Sequence, residues 1–155
     1  MLTRLFPPSI DNGYRGHPVG LWLFVPITAI TLWRSWAHMA LPDGGAQSIA
    51  TIPLDTYTQG GAATVITVFA LWGLSQFLIA LFYVVVLLRY RTLLPLMYVG
   101  LLLEYVGRLA VGLAKPIVTL ETPPGATMNF VFIALATIGL LLTLRDSGQP
   151  KGMPG

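Results

Sequence analysis

The stretch Leu93–Lys115 reads LLPLMYVGLLLEYVGRLAVGLAK and decides the fold. It is as long as a bilayer-crossing helix, which needs about 20 predominantly apolar residues. Glu104 and Arg108 nevertheless lie inside it, and four residues apart on a helix they share one face and can touch. Charged side chains at membrane depth are costly and seldom face lipid. The stretch therefore predicts a membrane-spanning helix whose polar face is turned away from lipid.

The composition of the whole chain indicates a membrane protein. Of its 155 residues, 55% are hydrophobic and only 10% are charged, whereas about 25% of the residues of a soluble domain are charged. The net charge of +3 comes from basic residues scattered singly, which is not the pattern of a nucleic-acid surface, so we expect no nucleic-acid partner. The chain has no cysteine, which excludes disulfides, thiolate metal sites and thiol catalysis.

Three further apolar runs accompany the first. Together they predict an all-α fold, an integral membrane antiparallel four-helix bundle with spans at about 18–40, 61–88, 93–115 and 128–144. We expect a single domain over residues 1–155, with flexible cytoplasmic ends at 1–17 and 146–155. Leu41–Gly60 is a connection of about twenty residues, and a connection this long in a small bundle is usually functional or folded as a cap.

Small and polar residues recur at helical spacing in two of the runs, and such stripes are typical of faces that pack against neighbouring helices. In the second run the stripe consists of Ala70, Gly73, Gln76, Ala80 and Tyr83. In the third run it consists of Gly100, Glu104, Arg108 and Gly112. We expect both stripes to face the inside of the bundle.

The distribution of basic residues predicts the orientation. Four spans place both termini on one side, and that side holds Arg4, Arg15, Arg89, Arg91, Arg145 and Lys151. Because cytoplasmic loops are enriched in Lys and Arg, both termini are predicted to be cytoplasmic, in a bacterial inner (plasma) membrane. The connections 41–60 and 116–127 then face outward.

This topology predicts where the polar residues meet. Glu104 lies roughly 16 Å along its helix from Leu93, at 1.5 Å per residue, and Gln76 lies halfway along its own span. We expect one outward-opening polar pocket for a ligand, formed by Arg34, His38, Gln76, Glu104, Tyr105 and Arg108. Two arginines against one glutamate leave surplus positive charge, which indicates an anionic ligand.

Each of these residues has a second interpretation. Glu104 and Arg108 form either a structural ion pair that locks the bundle or a ligand or proton site. Arg34 either extends its charge to the outer head groups or holds an anion with Arg108. For His38 an interfacial polar role is favoured, because His17, the other histidine, belongs to the opposite membrane face and one His with one Glu does not make a zinc site. We therefore expect no metal site, no cofactor and no catalytic residue.

Four segments carry a resemblance to known sequences: Tyr14-Arg-Gly-His, Ile52-Pro-Leu-Asp-Thr-Tyr, Leu88-Arg-Tyr-Arg-Thr-Leu-Leu-Pro-Leu-Met and Leu103-Glu-Tyr-Val-Gly-Arg. With them the chain resembles uncharacterised small four-span bacterial membrane proteins. Its size and helix count are loosely similar to the DoxX-like group. The resemblance implies a four-helix membrane architecture and no particular activity.

Two classes of function follow. The first is a non-enzymatic small membrane protein that binds a lipid-like or anionic ligand, or that serves as an accessory subunit of a larger membrane complex. Its expected partners are membrane lipids and, through self-association or assembly, other membrane subunits. The alternative is a membrane-embedded enzyme or proton-coupled carrier that uses Glu104 as acid, base or proton site, with Arg108 and Arg34 to hold the substrate.

Overall fold

The computed structural model describes residues 2–145, and within them it contains helices, turns and no strand. Four of the helices are long and apolar enough to span a membrane, which confirms the predicted fold class. The α-helices are α1 (Leu2–Leu5), α2 (Pro18–Ala40), α3 (Gln59–Arg89), α4 (Leu94–Ala114) and α5 (Pro124–Leu144). Short 3-10 turns occupy Leu54–Thr56 and Arg91–Leu93.

Local chemistry explains where the long helices begin. The side chain of His17 accepts a hydrogen bond from the Val19 amide at the start of α2, and Pro18 occupies the first turn, where a missing N–H costs nothing. Thr58 caps α3 in the same way, through the Gly61 amide. α5 begins at Pro124, four residues before the predicted Met128, because this proline also suits a first turn.

The long helices pack unequally. α2 packs against α3 and α5, and α4 packs against α5, whereas α3 and α4 have little contact beyond the turn that joins them. The main core contains Phe24 of α2, whose ring meets Tyr83 of α3 and Tyr98 of α4 edge-on at 5.0 and 4.9 Å between ring centroids. We call the end of the bundle with the connections 41–58 and 115–123 the loop end, and the opposite end the terminus end.

The inward stripe predicted for α3 is largely confirmed, whereas that of α4 is corrected. Gly73, Gln76, Ala80 and Tyr83 are all buried. On α4 the buried face is instead Leu94, Pro95, Tyr98, Leu101 and Tyr105. Gly100 and Gly112 are exposed, with no neighbour within 4 Å of a Cβ built on either, so these two positions do not contact another helix.

The segment before α2, predicted as a flexible end, contacts the terminus end of the bundle. Arg4 Nη1 donates hydrogen bonds to the carbonyls of Leu144 and Arg145 at the end of α5. The Thr92 side chain accepts from the Asp11 amide at 3.1 Å and donates to the Asp11 carbonyl at 2.9 Å. The other predicted flexible end, 146–155, lies outside the described residues.

Candidate functional site

The loop-end half of α2 lies close against α3 and carries the first two predicted site residues. His38 is buried and Arg34 is half-buried. A Cβ on Gly73 would lie 2.7 Å from the Cβ of His38 and 3.1 Å from the Ser35 carbonyl oxygen. Because glycine permits this approach of the two backbones, Arg34 comes within hydrogen-bonding distance of Gln76, one turn further along α3.

Arg108 is the centre of a polar network that joins three helices. Its Nε and Nη2 donate to Oε1 of Glu104 on the same helix, with an Nε–Oε1 distance of 2.9 Å. Its Nη2 also donates to Oε1 of Gln76 at 2.8 Å. The same Gln76 oxygen accepts from Nη2 of Arg34 at 3.3 Å. A single amide oxygen therefore holds the two guanidinium groups side by side.

Two aromatic rings enclose both guanidinium groups. Arg108 Cζ lies 4.7 Å from the centroid of the Trp72 ring on α3 and 5.0 Å from that of Tyr105 on α4. Arg34 Cζ lies 5.6 and 5.9 Å from the same two rings. Tyr105 in turn stacks on Phe132 of α5 at 4.7 Å, with the ring planes 3° apart. Each such cation–π contact contributes about 0.5–2 kcal/mol, and more where water is excluded.

The charges of this network do not cancel. The side chains of Glu104 and Arg108 are each 18% exposed, so this ion pair is largely shielded by protein. Two arginines and one glutamate leave a formal charge of +1, and among residues 2–145 no carboxylate lines the adjoining pocket.

A pocket of about 540 Å³ lies beside this network at the loop end. Four of the six predicted site residues line it: Arg34, His38, Tyr105 and Arg108. Gln76 and Glu104 do not line it, but bond the two arginines from behind. The remaining wall is predominantly apolar and comes from Ile30, Trp33, Phe69, Trp72, Met128 and Phe132, among others.

His38 attaches the first connection to the helices. Its Nδ1 lies 2.7 Å from the Gly44 carbonyl oxygen, and because a carbonyl can only accept, Nδ1 carries the proton and donates. The imidazole also packs on Trp72 and Phe69, with centroid distances of 4.7 and 5.9 Å. Gly44 and Gly45 both have positive φ, at 61° and 73°, a conformation that glycine adopts without strain.

The connection itself is folded as a cap. Ala46, Ile52 and Leu54 are buried in a second small core against the start of α3. Asp43 accepts hydrogen bonds from the amides of Gly45, Gln47 and Ser48 and from the Ser48 hydroxyl. Partial burial would raise the pKa of Asp43, but these hydrogen bonds to the carboxylate outweigh it and hold the pKa below the ordinary value. Asp43 is thus a turn-stabilising residue.

A second cavity, of about 520 Å³, lies at the terminus end beneath the segment before α2. Arg4, Arg15 and Arg91 line it. Arg4 and Arg91 hold the protein's own backbone there, Arg4 at the end of α5 and Arg91 through Nε on the Leu87 carbonyl. We place the candidate site at the loop end, because there one amide oxygen holds two guanidinium groups side by side at the pocket and two aromatic rings enclose them.

Sequence reasoning predicted Tyr105 but missed two other aromatic residues of the site, Trp72 and Phe132. Trp72 lies four residues before Gln76, and this spacing places both on one face of α3, so it is the signal that could have found Trp72. No such spacing indicated Phe132, because an aromatic residue in an apolar span can face lipid as well as protein. Among residues 2–145, no three His, Asp or Glu side chains are grouped as a metal site.

No family model, curated protein or solved structure matches this chain. The resemblance to small four-span bacterial proteins and to the DoxX-like group remains a prediction.

Proposed function

We propose that this chain is a non-enzymatic integral membrane protein that binds an anionic ligand between Arg34 and Arg108. One observation carries the proposal: two guanidinium groups lie side by side at one pocket, with a single carboxylate, Glu104, to neutralise them. A guanidinium presents a planar set of donors that matches a carboxylate or a phosphate. A bound anion would neutralise the formal charge of +1 that remains on Arg34, Arg108 and Glu104 together.

The location follows from the distribution of arginines. A bacterial inner membrane with both termini in the cytoplasm would put the terminus end, with its Arg4, Arg15, Arg89 and Arg91, on the inside. The candidate pocket would then belong to the outer half of the bilayer. Two single-cysteine variants, one with its cysteine at the terminus end and one with its cysteine in the cap, test this orientation. In intact cells, a membrane-impermeant thiol reagent should label the cap cysteine and not the cysteine at the terminus end.

The proposal is tested by charge removal at the pocket. In a neutral detergent, Arg34→Gln and Arg108→Gln should each weaken the binding of dodecanoate, measured by calorimetry, by about tenfold or more. This is the effect of losing one charge-assisted hydrogen bond of about 1.5–3 kcal/mol. Arg89→Gln removes the same charge from an exposed position at the opposite end of the bundle, so it should leave the affinity unchanged. Equal losses in all three variants would contradict the proposal.

Glu104→Gln separates this proposal from its alternatives. If the site binds an anion, the variant keeps both arginines and loses the competing carboxylate, so dodecanoate still binds. If the chain is instead an enzyme or a proton-coupled carrier, the substitution abolishes a pH-dependent turnover or transport while the fold stays intact. If Glu104 and Arg108 are a structural ion pair alone, the wild type binds no dodecanoate and the variant differs from it only in thermal stability.

An accessory-subunit role is tested by purification. If the chain belongs to a larger complex, extraction from its native membrane in a mild detergent yields a companion subunit in fixed proportion. A single species that carries lipid and no companion would favour the ligand-binding role.

A further inference from the structure

α2 and the segment before it contact α5 near the terminus end, whereas near the loop end α2 and α5 both line the pocket. A Cβ on Gly16, two residues before α2, would lie 2.7 Å from the Thr143 carbonyl oxygen, and a Cβ on Gly20 would lie 3.0 Å from the Thr143 methyl group. Towards the loop end, Ile30 of α2 and Met128 of α5 line the same pocket instead. The space between these two helices is therefore part of the pocket.

The two residues that border this space lie within the predicted spans, at different depths. Ile30 precedes the end of α2 at Ala40 by ten residues, or about 15 Å along the helix. Met128 follows the start of α5 at Pro124 by four residues, or about 6 Å. Ile30 and Met128 are both pocket-lining and exposed, at 47% and 45%. In a bilayer, the exposed part of these side chains borders lipid.

The connections line the side of the pocket nearest the membrane surface. Ile49 and Ala50 of the cap are half-buried there, and in the segment 123–126 Pro123 is half-buried and residues 124–126 are exposed. Two hydrogen bonds join the connections: the Leu120 amide donates to the Thr51 carbonyl, and the Thr51 hydroxyl donates to the Glu121 carbonyl, both at 2.9 Å. Thr51 has φ of 55°, a conformation that costs a β-branched residue about 1–2 kcal/mol and that these bonds offset. The two connections thus form one joined cover.

The lining specifies the chemistry of the occupant. Arg34 and Arg108 supply a site for one negative charge, because Glu104 neutralises one of them. The rest of the wall is mostly apolar and aromatic, which suits a hydrocarbon chain. A volume of about 540 Å³ lies within the range of about 300–1,000 Å³ that is typical of sites for one small molecule, so it fits a head group with a single chain better than a two-chain phospholipid.

We propose that the occupant is a single-chain amphiphile with one negative charge, and that it enters sideways from the membrane between Ile30 of α2 and Met128 of α5. Its head group binds Arg34 and Arg108, and its chain lies along the apolar wall towards lipid. This inference rests on the proposed function and adds the class of ligand and its route.

The first test compares ligands in nanodiscs of neutral phospholipid, at equal mole fraction in the bilayer. Hexadecanoate should bind at least about tenfold more tightly than hexanoate, which has the same head group, and than hexadecanol, which has the same chain. Hexadecyl phosphate at a pH where it is doubly charged should bind less tightly than hexadecanoate. Equal affinity for hexanoate would overturn the single-chain ligand, and equal affinity for the doubly charged phosphate would overturn the single charge.

The second test closes one route at a time. Because the natural chain has no cysteine, Ile30→Cys with Met128→Cys can be joined by a bifunctional maleimide across the lateral gap. Thr51→Cys with Glu121→Cys, joined in the same way, is the matched control across the cover, at two positions that do not line the pocket. Closing the lateral gap should slow the association of hexadecanoate by at least about tenfold, and closing the cover should leave the rate unchanged. The reverse result, or no effect of either cross-link, would overturn the lateral route.

These outcomes separate the two proposals. If Arg34→Gln and Arg108→Gln leave the binding of every anion unchanged, the proposed function itself fails. If the arginines matter but chain length and the lateral cross-link do not, the protein binds an anion that arrives from water, and only the further inference fails.

Discussion

The terminus end and the loop end of the bundle are built from the same helices but packed in opposite ways. At the terminus end the ring of Tyr98 on α4 lies directly on Gly139 of α5, and its hydroxyl donates to the Gly20 carbonyl of α2 at 2.7 Å. At the loop end the same three helices surround a pocket. The single glycine of α2, Gly20, lies in the terminus half, whereas the loop half carries Trp33 and Arg34. The position of small residues thus decides where the bundle is closed and where it stays open.

The largest effect is expected from filling the closed end. In Gly139→Ala the new Cβ would overlap Cε1 of Tyr98, so the ring or the helix must move, and overpacking of this kind costs about 1–3 kcal/mol of unfolding free energy. The measurement is the thermal or denaturant midpoint in detergent.

The matched control is Gly107→Ala on α4, where a Cβ meets nothing within 4 Å. This change should be neutral or stabilising by about 0.5–1 kcal/mol, since alanine favours the helix over glycine. If both alanine variants change stability by the same amount, the closed end is not packed as described.

A smaller effect is expected from removing one hydrogen bond at the same junction. Tyr98→Phe keeps the ring on Gly139 but deletes the bond to the Gly20 carbonyl, and loss of one such bond within a membrane costs about 0.6–2 kcal/mol. Dodecanoate affinity at the loop end should not change, because Tyr98 does not line that pocket. A loss of affinity as large as the loss of stability would show that the two ends are coupled.

The smallest effect is expected in the cap. The folded-state pKa of Asp43 is depressed, so its stabilising contribution is fully present above its ordinary pKa near 4 and is lost as the pH falls through the folded-state value. Hydrogen exchange of the amides of Gly45, Gln47 and Ser48 should therefore report weaker protection in acid than at pH 7, after correction for intrinsic rates. In Asp43→Asn we expect a loss of less than about 1 kcal/mol at pH 7 and no further loss in acid. Acid sensitivity that persists in the variant would assign it to another group.

The sequence predicts the spans well because span length is fixed by the thickness of the bilayer. Pro18 and Ala40 bound α2 as predicted. The larger difference between the predicted and observed start of α5 arises from Pro124, which was predicted as part of a connection but is the first residue of the helix. The inward face of α3 was predictable because glycine, glutamine and tyrosine share one stripe. On α4 the same reasoning held for Glu104 and Arg108, which are largely shielded by protein, but failed for Gly100 and Gly112, because a glycine can face lipid as readily as a neighbouring helix.

The polar half of the site was predictable for a physical reason as well. A charged or amide side chain that faces hydrocarbon costs free energy, so Arg34, Gln76 and Arg108 are expected to contact one another inside the bundle. Of the aromatic residues, Tyr105 was predicted, whereas Trp72 and Phe132 were missed, because Leu, Phe and Trp occur equally against lipid and against protein. The sideways separation of α2 and α5 is a tertiary property that no single span reveals.

The most direct test of the anion-binding pocket is to identify what it holds in the native membrane. Wild type, the double variant Arg34→Gln/Arg108→Gln and the control Arg89→Gln are purified in parallel in a mild detergent, and their bound lipids are quantified by mass spectrometry. We expect about one molecule of a single-chain, singly charged anion per protein chain in wild type and control. In the double variant this amount should fall by at least about tenfold. The same bound lipids in all three proteins, or none in the wild type, would contradict it.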